Sequence, residues 1–154
     1  MDRKGFLRSS TALSGVILLG ACGQDIKKQT SKIDTTTTYS WKMVTTWPPN
    51  FPVLGEACQK FADWVYQMSA GQMSIKVYGA GELIPALEVF DAVSSGAAEL
   101  GNGAAYYWAG KAPSAQFFAS IPFGMNAQQM NAWLYSGGGL HLWQELYKKF
   151  GLKV

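Results

Sequence analysis

Three β-rich runs alternate with two amphipathic segments over residues 41–101, and this order predicts an α/β fold. A strand–helix–strand–helix–strand sequence implies right-handed crossovers, and hence a mostly parallel sheet with flanking helices. Breaks rich in proline and glycine, at residues 47–52 and 79–81, separate the segments.

The elements follow in order. Residues 41–46 (WKMVTT) form the first β-rich run. It stops at Trp47-Pro48-Pro49-Asn50-Phe51-Pro52, where three prolines exclude both helix and continued strand, so this segment is a rigid loop. Leu54, Cys58, Phe61, Val65 and Met68 then recur at spacings of four and three, which predicts one face of a helix closed by Gly71. Residues 73–78 (MSIKVY) alternate like a second strand. Pro85 opens a helix to about Ser94, with Leu87, Phe90 and Val93 on one side and Gly96 just past its end. Residues 98–101 form a short third strand, leading into Asn102-Gly103-Ala104-Ala105-Tyr106-Tyr107-Trp108. Two more helices follow. Asn126 and Gln129 make a capping pair ahead of Met130, Trp133 and Leu134. After Gly137-Gly138-Gly139, residues Leu140, Trp143, Leu146, Tyr147 and Phe150 keep helical period up to Gly151. Lys148 and Lys149 complement the dipole of that last helix. Leu152-Lys153-Val154 reads as the opening of another strand, so the chain is expected to be the front part of a longer one.

The composition suits one domain with a real core: 48% of the 154 residues are hydrophobic and 15% charged. Aromatics reach 14%, which fits either a dense core or a cleft lined with rings. The net charge of +3 resides largely at one end, where Arg3, Lys4 and Arg8 meet only Asp2. The rest of the chain holds ten basic and nine acidic residues, with no basic cluster longer than a pair. A near-neutral body excludes a nucleic-acid partner, which needs a concentrated basic face.

Residues 1–22 have the order of an export signal. Arg3, Lys4 and Arg8 precede a short, mostly apolar run from residue 11 to residue 21. That run is too short to span a bilayer, which takes about 20 apolar residues. It ends in Leu19-Gly20-Ala21-Cys22, which resembles a bacterial lipobox and implies lipid on the Cys22 thiol. The alternative is an ordinary signal peptide. Residues 3–8 also resemble a twin-arginine signal with Lys4 in place of the second arginine, so both export routes stay open. Residues 23–38 are polar and aperiodic and are expected to tether the fold to the membrane. Cys58 is then left as a buried thiol, a Cys22–Cys58 disulfide being the alternative.

No reactive constellation can be assembled. His141 is the lone histidine, on a predicted helix between Leu140 and Leu142. No nucleophile elbow, phosphate loop or zinc-spaced Cys/His set occurs, and Glu82, Glu88, Asp91 and Glu99 form no acid–base pair. The chain is therefore expected not to be an enzyme, and no cofactor is expected in it. The functional signal lies in the loops after the first and third strands, since ligands of parallel sheets sit beyond the strands' carboxyl ends. Trp47, Phe51, Tyr106 and Tyr107 occupy those loops. They are expected either to wall a small pocket, with phenol hydroxyls offered to a carboxylate or keto oxygen, or to pack the sheet edge.

Three blocks, KMVTTWPPNFP (42–52), IKVYGAGELIPALEVFDAVSSGAAELGNGAAYYW (75–108) and QFFASIPFGMNAQQMNAWLYSGGGLHLWQELYKKFGLK (116–153), resemble the periplasmic solute-binding subunits of TRAP transporters. The likeness is greatest to the branch that takes 2-oxo acids or lactate. It implies a type II periplasmic-binding-protein-like lobe, here incomplete and spanning residues 39–154, and a receptor that closes on a small monocarboxylic acid and delivers it to membrane permease subunits. It implies solute contacts from Trp47, Asn50, Phe51, Tyr106 and Tyr107. It also implies a carboxylate-binding arginine, a sodium or calcium ion beside the substrate, and dimerisation, all supplied by later parts of a full-length protein. No arginine follows Arg8, so the chain alone is expected to bind solute weakly or not at all. The competing expectations are a ligand-sensing lipoprotein serving a signalling partner, and an enzyme on a related α/β fold.

Overall fold

A computed structural model describes residues 37–154. The export signal, Cys22 and nearly all of the tether lie outside the described residues. Three strands, β1 (Tyr39–Thr45), β2 (Met73–Tyr78) and β3 (Leu100–Asn102), form a parallel sheet in the order β2-β1-β3. Crossovers α1 (Leu54–Met68) and α2 (Val89–Ser94) link them. The predicted α/β layer is therefore present.

Alternation along β1 sends neighbouring side chains to opposite faces. Met43 packs with Ile75 of β2 against Cys58 and Ala62 of α1. Val44 faces the other way, onto Val89, Phe90, Trp108, Phe118 and Tyr147. The result is a sheet with an apolar layer on each side, the burial a parallel sheet requires. Phe90 is the hub of the larger layer, with ring centroids 5.1 Å from Phe150, 5.6 Å from Trp108 and 5.7 Å from Tyr147. The register of β3 is pinned at its start. Lys42 N–H donates to the Glu99 carboxylate at 2.7 Å and Lys42 Nζ donates to Ala97 O at 2.7 Å. The backbone bond from Lys42 holds the Glu99 carboxyl below its usual range.

Several local expectations are corrected. On α1 the buried line runs through Cys58 and Ala62, while Leu54, Phe61 and Met68 are exposed, Met68 by 79%. The sheet covers only one flank of the apolar stripe. The helix expected from Pro85 begins as a 3-10 turn, Ala86–Glu88, and becomes α-helical only at Val89. That change of pitch buries Val89 and leaves Leu87 58% exposed. Cys58, by contrast, is the buried thiol expected, and burial raises its pKa. Residues 152–154 carry no strand assignment here, and Leu152 packs against the core that holds Val89 and Phe90.

Two further helices, α3 (Ala127–Ser136) and α4 (Gly139–Lys148), close that side. The expected capping box is present: Gln129 N–H donates to Asn126 Oδ1 at 2.9 Å, and Asn126 N–H donates to Gln129 Oε1 at 3.0 Å. A 3-10 segment at Pro113–Phe118, invisible to periodicity, places Phe118 between Trp133 and Trp143, stacked on both. Phe90→Ala should lower the unfolding free energy by about 3–5 kcal/mol in urea titration, whereas Leu87→Ala should cost less than about 0.5 kcal/mol.

Candidate ligand-binding site

β1 leaves the sheet at its carboxyl edge through Thr46 and Trp47. Pairing outlasts the strand by one residue, since Thr46 N–H donates to Asn102 O at 2.9 Å. The Trp47 carbonyl accepts from Ala80 N–H at 2.8 Å and from the Thr45 hydroxyl at 2.9 Å. The turn after β2 thus props the proline loop from below. It does so closely: a Cβ on Gly79 would stand 2.6 Å from Pro49 Cδ, so only glycine fits there.

The loop is held in a strained shape. Asn50 and Val53 both have positive φ, 58° and 66°. Asparagine tolerates that region, but a β-branched valine does so only under duress, at a cost of about 1–3 kcal/mol. Gly55 N–H and Glu56 N–H both donate to Phe51 O, at 2.9 and 3.2 Å, and these bonds knit the loop to the first turn of α1.

From the other loop, the 3-10 turn Ala105–Trp108 turns Ala105 and Trp108 inward and leaves Tyr106 and Tyr107 outside. Four of the five expected site residues meet here as a continuous chain of rings. Phe51 stacks on Trp47 with centroids 6.0 Å apart and planes inclined by 19°. Trp47 leans on Tyr107 at 5.9 Å, and Tyr107 meets Tyr106 edge-on at 4.7 Å. Trp47 is half-buried, while Phe51, Tyr106 and Tyr107 are 41%, 43% and 38% exposed. Exposure of that degree makes these rings a surface wall. A hydrogen bond with the Tyr106 hydroxyl is the main cause that raises the Tyr107 pKa above its ordinary value. Each phenol carries an O–H that can donate to an anion. Asn50 lies on the far side of the same loop, in a groove of about 550 Å³ shared with Glu56, Gln59, Lys60 and Glu82.

One residue of this region was not singled out from the sequence. Asn102, the last residue of β3, accepts a hydrogen bond from Trp47 Nε1 at 2.7 Å. A polar side chain at the carboxyl end of a parallel strand was the available signal.

Residues 43–154 match the DctP family, the bacterial extracellular solute-binding proteins of family 7. The chain belongs to this family. It is 37% identical, over 153 residues and 99% of its own length, to a monocarboxylate 2-oxoacid-binding periplasmic protein of Nostoc sp. PCC 7120. A TRAP periplasmic solute-binding protein from Pseudoalteromonas atlantica T6c, solved with bound sodium and pyruvate, superposes with a TM-score of 0.73 at 42% identity over 75% of this chain. One from Bordetella bronchiseptica RB50, with calcium and picolinate, gives 0.70 at 35% identity over 74% of this chain. The chain spans 41% of the length of the Nostoc relative, and 35% and 34% of these two structures. Its family is thus one of extracellular solute-binding proteins, and this chain corresponds to part of the length of such a protein.

The ions in those relatives raise the question of a cation here. Among the described residues, no three His, Cys, Asp or Glu side chains stand close enough to hold a metal. The ring wall offers phenol oxygens and no carboxylate. The two phenols alone do not supply the several oxygen ligands that sodium or calcium takes.

Tyr106→Phe should bring the Tyr107 pKa back down toward the ordinary tyrosine range, read by ultraviolet titration of the phenolate. The sign for stability follows. A proton held more tightly in the folded state contributes fully below the unfolded pKa and is lost as pH rises through the folded one. The alkaline decline of stability should therefore be shallower in Tyr106→Phe.

Proposed function

We propose that this chain forms the front wall of a periplasmic receptor that captures a small 2-oxo or 2-hydroxy monocarboxylic acid for a TRAP-type transporter. The supporting observation is the run of rings Phe51–Trp47–Tyr107–Tyr106 at the carboxyl edge of β1 and β3, where parallel sheets receive ligands. The indole and phenyl faces suit the short carbon skeleton of such an acid. The two phenols offer donors to its carboxylate or keto oxygen. The charge-neutralising arginine, and any sodium or calcium beside the solute, come from the remaining length that the relatives possess. The receptor hands its solute to membrane permease subunits.

In the full-length protein, pyruvate at about 100 times its dissociation constant should raise the unfolding free energy by about 2.7 kcal/mol, seen as an upward shift of the melting temperature. Trp47→Ala should weaken binding by about tenfold or more in calorimetric titration, the loss expected of one buried aromatic anchor. No response to any 2-oxo or 2-hydroxy acid would refute the substrate class.

The receptor is exported by residues 1–22 and anchored through a lipid on Cys22, with residues 23–38 as its tether. Cells expressing the protein and fed radiolabelled palmitate should label it, and Cys22→Ser should abolish the label while leaving the protein outside the cytoplasm.

A further inference from the structure

We infer that Asn102 is a positioning residue: it latches the Trp47 indole in place and thereby sets the shape of the ring wall. The inference rests on the reading that Trp47 faces the solute, but the latch itself can be tested without solute.

Trp47 lies two residues past the end of β1, beyond the reach of the sheet ladder. Ring contacts with Phe51 and Tyr107 hold it from two sides, at 6.0 and 5.9 Å. Such contacts are weakly directional, so they leave the indole free to slide and tilt. The bond from Nε1 to Asn102 Oδ1, at 2.7 Å, removes that freedom by fixing where the one polar edge of the ring points. Asn102 is itself immobilised. Its backbone carbonyl receives Thr46 N–H at 2.9 Å. The next residue, Gly103, is pressed onto β1 so tightly that a Cβ would lie 2.7 Å from Thr46 Cγ2 and 2.9 Å from Trp108 Cζ2. Asn102 therefore ties the loop after β1 to the end of β3 twice, once through the backbone and once through the side chain. An indole N–H can only donate, so the amide oxygen must face Trp47. An aspartate at this position preserves that acceptor in the same place.

The test is nitrogen-15 NMR of the indole N–H groups in the full-length protein, with the Trp47 signal identified by its loss in Trp47→Phe. Asn102→Ala should shift that signal and speed its hydrogen exchange by up to about tenfold, the upper range for the loss of one hydrogen bond. The other indole signals should stay in place. Asn102→Asp should retain both the shift and the slow exchange. An unmoved Trp47 signal in Asn102→Ala overturns the latch. If Asn102→Ala does not fold, Asn102→Asp decides: loss of the Trp47 protection with the other indoles intact also overturns it. Pyruvate affinity then closes a double-mutant cycle. Asn102→Ala should weaken binding in the parent and add little further in Trp47→Phe. Equal losses in both backgrounds mean that Asn102 acts on solute independently of Trp47, which refutes the positioning role. Unchanged binding in Trp47→Ala refutes the cleft reading instead, while the indole spectra still report on the latch.

Discussion

Val44 is 1% exposed and its neighbour Met43 is 6% exposed, yet they face opposite apolar layers. The double burial of β1 is the constraint on which the other elements depend. The last three residues of the strand, Met43 to Thr45, are buried, and Met43 and Val44 are paired along both edges. They have no freedom to slip, because a shift of one residue would exchange the two layers. The end of β1 is consequently a fixed point in space. β2 and β3 run parallel to it, so their carboxyl ends and the loops that follow come out on the same edge. The ring wall is a consequence of that register. Trp47 and Phe51 leave from β1, Tyr106 and Tyr107 from the turn after β3, and the 79–81 turn after β2 supports them from beneath.

A fixed strand end does not by itself hold an exposed set of rings. Aromatic side chains in water gain most by collapsing onto the nearest apolar surface. The loop resists this with covalent stiffness in Pro48, Pro49 and Pro52 and with backbone strain at Val53. The bond from Trp47 to Asn102 supplies direction. Rigidity has a binding consequence, since contacts that are already ordered lose less conformational entropy when a solute arrives.

Much of this was legible in the sequence, and the parts that were not share a cause. The strand order, α1, the capping box at Asn126 and the two aromatic loops follow from period, punctuation and propensity, which are local properties. Periodicity also marked the apolar stripe on α1. It did not show which flank of the stripe meets the sheet, so Phe61 and Met68 were placed inward although they are exposed. The 3-10 turns escaped because three to six residues carry too little period to register. Asn102 escaped for another reason: its partner Trp47 lies 55 positions away, and only the parallel register of β1 and β3 brings them together. Asn50 shows the converse limit. It shares a loop with Trp47 and Phe51, yet the turn carries it to the groove beside α1.

The chemistry of the wall, taken with the proposed solute, assigns the labour within the full-length receptor. Rings and phenols recognise shape and donate hydrogen bonds to an anion, but they do not neutralise its charge. Taking a carboxylate out of water without a cation costs several kcal/mol, more than two phenol hydrogen bonds return. No arginine follows Arg8 in this sequence, and the chain spans about two-fifths or less of its relatives' length. On the proposed function, shape recognition is assigned to this wall and charge recognition to the opposing one. A solute gains its full binding energy only when both walls touch it at once. It thus favours the closed arrangement over the open one by the difference between two-wall and one-wall contact. On the proposed function, weak binding by the front wall alone would suit this task, because a solute held firmly by one wall would exert little pull toward closure.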